Sequence, residues 1–211
     1  EKLRIDSDGR LLIGTTSHQA AYGTAALQIA GTSSATSSMS LIRHGNSPYL
    51  TLGSSGGSSL GAVTALSSGD RIGQLTFAGA DGTDISTHAA SIAAYVDGSV
   101  SSNNVPARIV FATGPLETER LRIDSNGMIG FGGVIPKTQN TFDAIEFGKT
   151  GFLGSQTGAR TVEMASNAYY NSGWKYKEAD VASQYYQYQG YHAFTSAVSG
   201  SADGAISFVE R

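Results

Sequence analysis

Carboxylates, histidines and clustered aromatic rings are the groups in this 211-residue chain with chemistry to offer. Glu117, Glu119 and Asp124 lie close enough in sequence to flank a glycosidic bond, which takes two carboxylates about 5–5.5 or 6.5–9.5 Å apart. Sequence does not show that spacing, and pairing of Glu117 and Glu119 with Arg120 and Arg122, or exposure to water, is the better account of them. Asp81-Gly82-Thr83-Asp84 offers carboxylate oxygens to Ca²⁺, but it lacks the alternating ligands and terminal Glu of a calcium loop, and Asp-Gly is an ordinary turn pair. His18, His44, His88 and His192 never fall as closely spaced pairs, so a metal site would have to be assembled from distant segments or several chains. The glycine-rich stretch 53–61 lacks the Gly-Lys-Ser/Thr ending of a phosphate loop. No catalytic residue, metal or cofactor is therefore expected.

The stronger signal is aromatic. Seven of the ten tyrosines (Tyr169, Tyr170, Tyr176, Tyr185, Tyr186, Tyr188, Tyr191) and the single Trp174 fall within 23 residues, beside Asn167, Asn171, Gln184, Gln187, Gln189 and His192. Flat rings next to amide groups suit sugars, since the rings cover apolar C–H faces while the amides direct hydrogen bonds to hydroxyls. Trp174, Tyr169, Tyr170, Tyr176, Tyr185, Tyr188, Asn171 and Gln187 are the carbohydrate-binding candidates. The competing reading is that the rings fill strand faces and an interchain contact, each hydroxyl finding a partner.

These groups must be carried by a turn-rich scaffold. Glycine (27) and serine (28) together supply about 26% of the chain, only 15% of residues are charged, and the net charge is −3. That balance lacks the basic footprint that nucleic acid binding needs. The absence of cysteine removes disulfides and thiolate metal sites. The uncharged tract from Leu11 to Ile42 is broken by Thr15, Ser17, Gln19, Ser33 and Ser34, so it is not an apolar membrane span. The start at Glu1, without initiator Met or signal segment, and the stop at Glu210-Arg211 read as an excerpt of a longer chain.

An internal repeat organises the chain. Glu1-Lys2-Leu3-Arg4-Ile5-Asp6-Ser7-Asp8-Gly9 recurs as Glu119-Arg120-Leu121-Arg122-Ile123-Asp124-Ser125-Asn126-Gly127, and Ala26-Leu27-Gln28-Ile29 as Ala144-Ile145-Glu146-Phe147, all at an offset of 118. Residues 1–118 and 119–209 are read as two modules, with 210–211 opening a third. Asp8-Gly9 and Asn126-Gly127 suit the centres of two-residue type I′ turns with both residues at positive φ. That turn would set Ser7 opposite Arg10, Ile5 opposite Leu12 and Leu3 opposite Gly14, leaving the second strand apolar on both faces. Further strands are expected at 41–44, 49–52, 72–77, 89–96, 107–113, 142–147, 161–165, 174–176, 185–188, 191–196 and 205–209, with none assigned to 32–40. The fold class is all-β, an elongated set of β-hairpin repeat modules. Two-faced strands, long uncharged tracts and a lean core point to an intertwined homotrimer in which chains cover one another.

The phrase 119–127 followed by Gly132, the block Gly79-Ala80-Asp81-Gly82-Thr83-Asp84 and the run from Val105 to Thr113 resemble repeats of tailed-bacteriophage tail fibres. Asn167-Ala168-Tyr169-Tyr170 with Trp174-Lys175-Tyr176, and the run from Gly200 to Arg211, resemble the same fibres, often those ending in an intramolecular chaperone. The resemblance covers most of the chain and departs from the usual pattern at Lys2, where Arg is frequent, and at Gly133, where Thr is usual. It implies a homotrimeric, non-enzymatic virion component of the tail fibre, partnered by two identical chains, other tail or fibre proteins and a host surface glycan. No self-cleaving chaperone domain is recognisable, so no catalytic residues carry over. The alternatives are a tailspike that depolymerises glycans and a trimeric bacterial surface adhesin.

Overall fold

A computed structural model describes every residue except Tyr22, and among the described residues the chain is all-β, with no helix. Strands β1 (Leu3–Ile5), β2 (Leu11–Ile13) and β3 (Leu27–Ile29) form a small sheet. They are followed by β4 (Arg71–Gly79), β5 (Thr87–Val96), β6 (Ala107–Thr113), β7 (Thr118–Ile123), β8 (Ile129–Phe131), β9 (Phe142–Phe147), β10 (Gly151–Gln156) and β11 (Thr161–Ser166). Then come β12 (Ala168–Tyr170), β13 (Trp174–Tyr176), β14 (Ala182–Tyr188), β15 (Tyr191–Ala197) and β16 (Val209–Glu210). An 11-stranded sheet runs β16-β15-β14-β11-β10-β9-β8-β7-β6-β5-β4, and β12-β13 form a separate ribbon. The large sheet is mixed: β8 and β9 run parallel, while its other neighbours are antiparallel.

The two hairpins differ from the sequence expectation in one instructive way. In the first, the Gly9 amide donates to the Asp6 carbonyl at 3.0 Å and the Asp6 amide to the Arg10 carbonyl at 3.1 Å, so the loop holds three residues, Ser7 to Gly9. Only Gly9 has positive φ (77°); Asp8 does not. This is a tight turn closed by a glycine bulge, in place of a type I′ pair. The cause is Asp6, whose Oδ1 accepts from the amides of both Asp8 and Arg10 at 3.0 Å. Asp124 does the same for Asn126 (2.8 Å) and Met128 (2.9 Å), and Gly127 stands at φ 82° while Asn126 does not adopt positive φ.

The extra loop residue slips the register by one, which exchanges faces. Leu3 now faces Ile13, Ile5 faces Leu11 and Arg4 faces Leu12, contrary to the expected Ile5–Leu12 pair. Leu3, Ile5, Leu11 and Ile13 thus share one face, joined by Leu27 and Ile29 through the parallel pairing. Leu12 turns to the other side and is fully buried. Every pairing in β1-β2-β3 has its counterpart 118 residues later in β7-β8-β9, including Leu11 with Leu27 and Ile129 with Ile145.

Among the remaining expected elements, 41–44 and 49–52 are not strands, although their apolar side chains stand exposed. Strand conformation there has no neighbouring strand in this chain to satisfy its backbone. Segment 205–209 is reduced to the bridge between Lys175 and Ala205 and the short β16. Strands β3, β10 and β12 are additional to the expected set; Gly151 and Gly154 mask the alternation of β10.

The inner face of the large sheet buries Val110, Ala112, Phe142, Ala144 and Phe152. The outer face is no less apolar. One row of directly opposed residues runs Ile109–Ile123–Ile129–Ile145 and continues Leu153–Met164–Tyr185–Phe194. A second begins Leu75–Ile92–Phe111–Leu121–Phe131–Phe147.

Candidate functional site

The aromatic cluster divides between the two faces of the sheet. The ribbon β12-β13 lies over the inner face, where Tyr170 and Trp174 are opposite one another. Trp174 meets Phe142 at 5.5 Å, Phe152 at 5.7 Å, Tyr170 at 5.5 Å and Phe208 at 5.9 Å between ring centroids, the last three edge-to-face. With Met128 and Ala144 these rings build the core of this half of the molecule. Tyr176 is buried against Ala182 and Ala197 and donates its hydroxyl to the Val198 carbonyl at 2.5 Å. Gly200 is required beside it, since a β-carbon there would stand 2.2 Å from the Tyr176 ring. Tyr169 is buried, donates to Asp203 at 2.7 Å and lies 5.3 Å from the Lys137 ammonium. Burial first, and then the Asp203 carboxylate, push its phenol up to about 12.

Trp174, Tyr169, Tyr170 and Tyr176 are therefore not an open stacking platform together, contrary to that candidate role. Their area is used for packing: Tyr170, Trp174 and Tyr176 share one face of the ribbon, while Tyr169 lies on the opposite face and is buried beside Asp203 and Lys137. Asn171 is half-buried in the turn joining β12 to β13, its amide donating to the Gly173 carbonyl.

Tyr185 and Gln187 occupy the outer face instead. The Tyr185 hydroxyl lies 2.6 Å from His192 Nδ1 and accepts from Gln187 Nε2 at 3.0 Å, and its ring stacks 4.8 Å from Phe194. Gln187 and Tyr188 are brought together at the sheet end, in a cleft of about 410 Å³ between the β10–β11 and β14–β15 turns. Arg160, Gln189 and His192 complete that cleft.

Several other polar candidates hydrogen-bond locally. Asp81 Oδ1 accepts from the amides of Thr83 (2.8 Å) and Asp84 (3.2 Å), and its Oδ2 from the Thr87 hydroxyl, which together hold its carboxyl below the usual range. Glu119 grips Arg122 through both oxygens, at 2.6 and 2.8 Å. Glu117 sits among Arg71, Gln74 and His88.

Buried polar groups on the inner face were missed. Glu146 is 1% exposed and pairs with Lys177 at 2.9 Å, while Lys177 Nζ also donates to the Gly151 carbonyl. Burial pulls the Lys177 ammonium below its ordinary value, opposed by the Glu146 charge. Glu163, Gln184 and Thr195 form a second buried set: Gln184 Nε2 donates to Glu163 Oε2, and Thr195 donates to Gln184 Oε1 at 3.4 Å. Desolvation lifts the Glu163 carboxyl to about 7. In the sequence Val162-Glu163-Met164 an ordinary reading sends Val162 and Met164 inward; here they face outward and Glu163 inward. Neither a scan of protein-family models nor a search of curated proteins finds a match for this chain.

Proposed function

We propose that this chain is a structural and adhesive segment of a bacteriophage tail fibre, working without catalysis as a homotrimer that extends the fibre and attaches it to a host surface. The observation that carries this reading is the outward apolar face. Its unbroken row from Ile109 to Phe194 crosses eight strands. At ~4.8 Å per strand the row extends about 34 Å and, with a second row beside it, forms a contiguous apolar patch of the kind that marks an interaction surface. Half or more of the Met164 and Phe194 surfaces is open, at 53% and 63%. Burying such a face is worth ~25 cal/mol per Å². Two further copies of the same chain are the occupants that fit, because they also supply strand partners for the apolar segments 41–44 and 49–52. Host glycan, and other tail proteins at the fibre ends, are the remaining partners.

Light scattering on the soluble chain is the test. A mass of about three times 21.8 kDa is expected. A folded monomer that melts cooperatively at the same temperature over a wide dilution range would overturn the reading, since obligate oligomers lose stability on dissociation.

A further inference from the structure

On the inner face, between β11, β14, β15, β16 and the Trp174 ribbon, lies a second cleft of about 370 Å³ whose floor is Glu163, Gln184 and Thr195. We propose that it is a binding site for one neutral pyranose ring of a surface glycan; this deepens the attachment reading and rests on it.

Three features converge on that ligand. The floor is polar and buried: Glu163 and Gln184 are each 7% exposed, and unlike the Glu146–Lys177 pair on the same face they have no cation beside them among the described residues. Buried polar groups cost stability unless hydrogen-bonded. Glu163 satisfies one oxygen through Gln184, while its other oxygen has no partner among the described residues, and the residue lines the cleft. A carboxyl held in this way offers a hydrogen bond to whatever enters. The walls are rings, Trp174, Phe208 and Tyr186, matched to the C–H faces of a sugar. At the rim Glu210 is held by the Tyr191 hydroxyl at 2.6 Å.

Charge narrows the class. The residues lining the cleft include two carboxylates and no lysine or arginine. An acidic sugar would meet Glu210, and the ionised form of Glu163, without a cation to compensate it, so the ligand is a neutral hexose or N-acetylhexosamine. A volume of about 370 Å³ accommodates a single pyranose ring over the polar floor. Three copies on one fibre make weak single sites sufficient through avidity.

The experiment measures binding of methyl glycosides of glucose, galactose, mannose and N-acetylglucosamine, with glucuronic acid as the charged control, to the intact chain by ligand-observed NMR. Light scattering is run on the same sample. At least one neutral glycoside is expected to bind at about millimolar concentration, glucuronic acid is not, and Glu163→Leu and Thr195→Val are each expected to weaken binding about tenfold or more through the lost hydrogen bonds. Circular dichroism establishes that each variant is folded, and Thr195→Val serves if Glu163→Leu is not. Absence of binding by all four neutral glycosides, or unchanged binding in the folded variants, overturns the site. A trimer that binds none of them leaves the fibre reading standing, whereas a monomer that binds one removes the fibre reading and keeps the cleft.

Discussion

Glu163 has a carboxyl lifted to about 7 from an ordinary value of 4.5, with burial the leading cause and the Gln184 hydrogen bond opposing it. Between those values the folded chain holds a proton that the unfolded chain has released. The Glu163 contribution is therefore fully present below the unfolded value and is lost as pH rises through about 7. The Asp6, Asp81 and Asp203 carboxyls are all lowered, so their contributions are lost only in more acidic solution. The melting temperature should accordingly be higher at about pH 5 than at about pH 8, and Glu163→Gln should flatten that difference. Identical profiles for the two proteins would show that the buried carboxyl is not what sets the slope. Lys177 makes the complementary case: Lys177→Met strands the Glu146 carboxylate in the interior and should cost about 3–5 kcal/mol. Adding Glu146→Gln should return most of it, as denaturant unfolding of the single and double variants would reveal.

At the scale of the element, the hairpins are governed by one carboxylate and one glycine each. Asp124 gathers two turn amides, and Gly127 takes the positive φ that lets the chain rejoin the ladder. Nothing lies within 4 Å of a β-carbon built on Gly127, so the objection to a side chain there is conformational and not steric crowding from neighbours. Gly127→Val should destabilise the chain by about 1–2 kcal/mol or more, because a β-branched residue resists the left-handed region. Gly127→Asn, which tolerates that region, should cost much less. Equal melting temperatures for the Val variant and the parent would refute the assignment. Deleting Ser125 is a harsher test: a two-residue loop would move the register of β7 against β8 by one and separate Leu121 from Phe131, so soluble yield should collapse.

For the whole molecule, the informative residues are those a lone chain does not need. Phe194 is 63% exposed, and replacing so open a side chain normally changes stability by only about 0.5 kcal/mol either way. If the outer face is covered by two other copies, Phe194→Asp should reduce assembly sharply and lower the mass measured by light scattering. A variant with the parental mass and melting temperature would place Phe194 outside any interface. The same logic extends to Leu3, Ile5 and Leu27 on the small sheet, whose shared face repeats the pattern of β7, β8 and β9.

The all-β class, the offset of 118 and strands such as 107–113 and 142–147 were legible in the residue order, because alternation, β-branched runs and Asp-Gly or Asn-Gly punctuation are local properties. The hairpin register was not, although its determinant was in view: Asp6 and Asp124 choose the three-residue loop through side-chain hydrogen bonds that compete with the preference of the Asp-Gly and Asn-Gly pairs. The fate of the tyrosines was open for a different reason. Trp174 and Tyr185 have similar sequence surroundings, yet one closes the core while the other lies on the outer face, because β13 belongs to a ribbon laid over the sheet and β14 belongs to the sheet itself. Which side of Val162-Glu163-Met164 is interior could be decided only by what packs against it. Period-2 alternation determines that two faces exist, and where both carry rings and apolar chains, the covering elements alone decide which is buried.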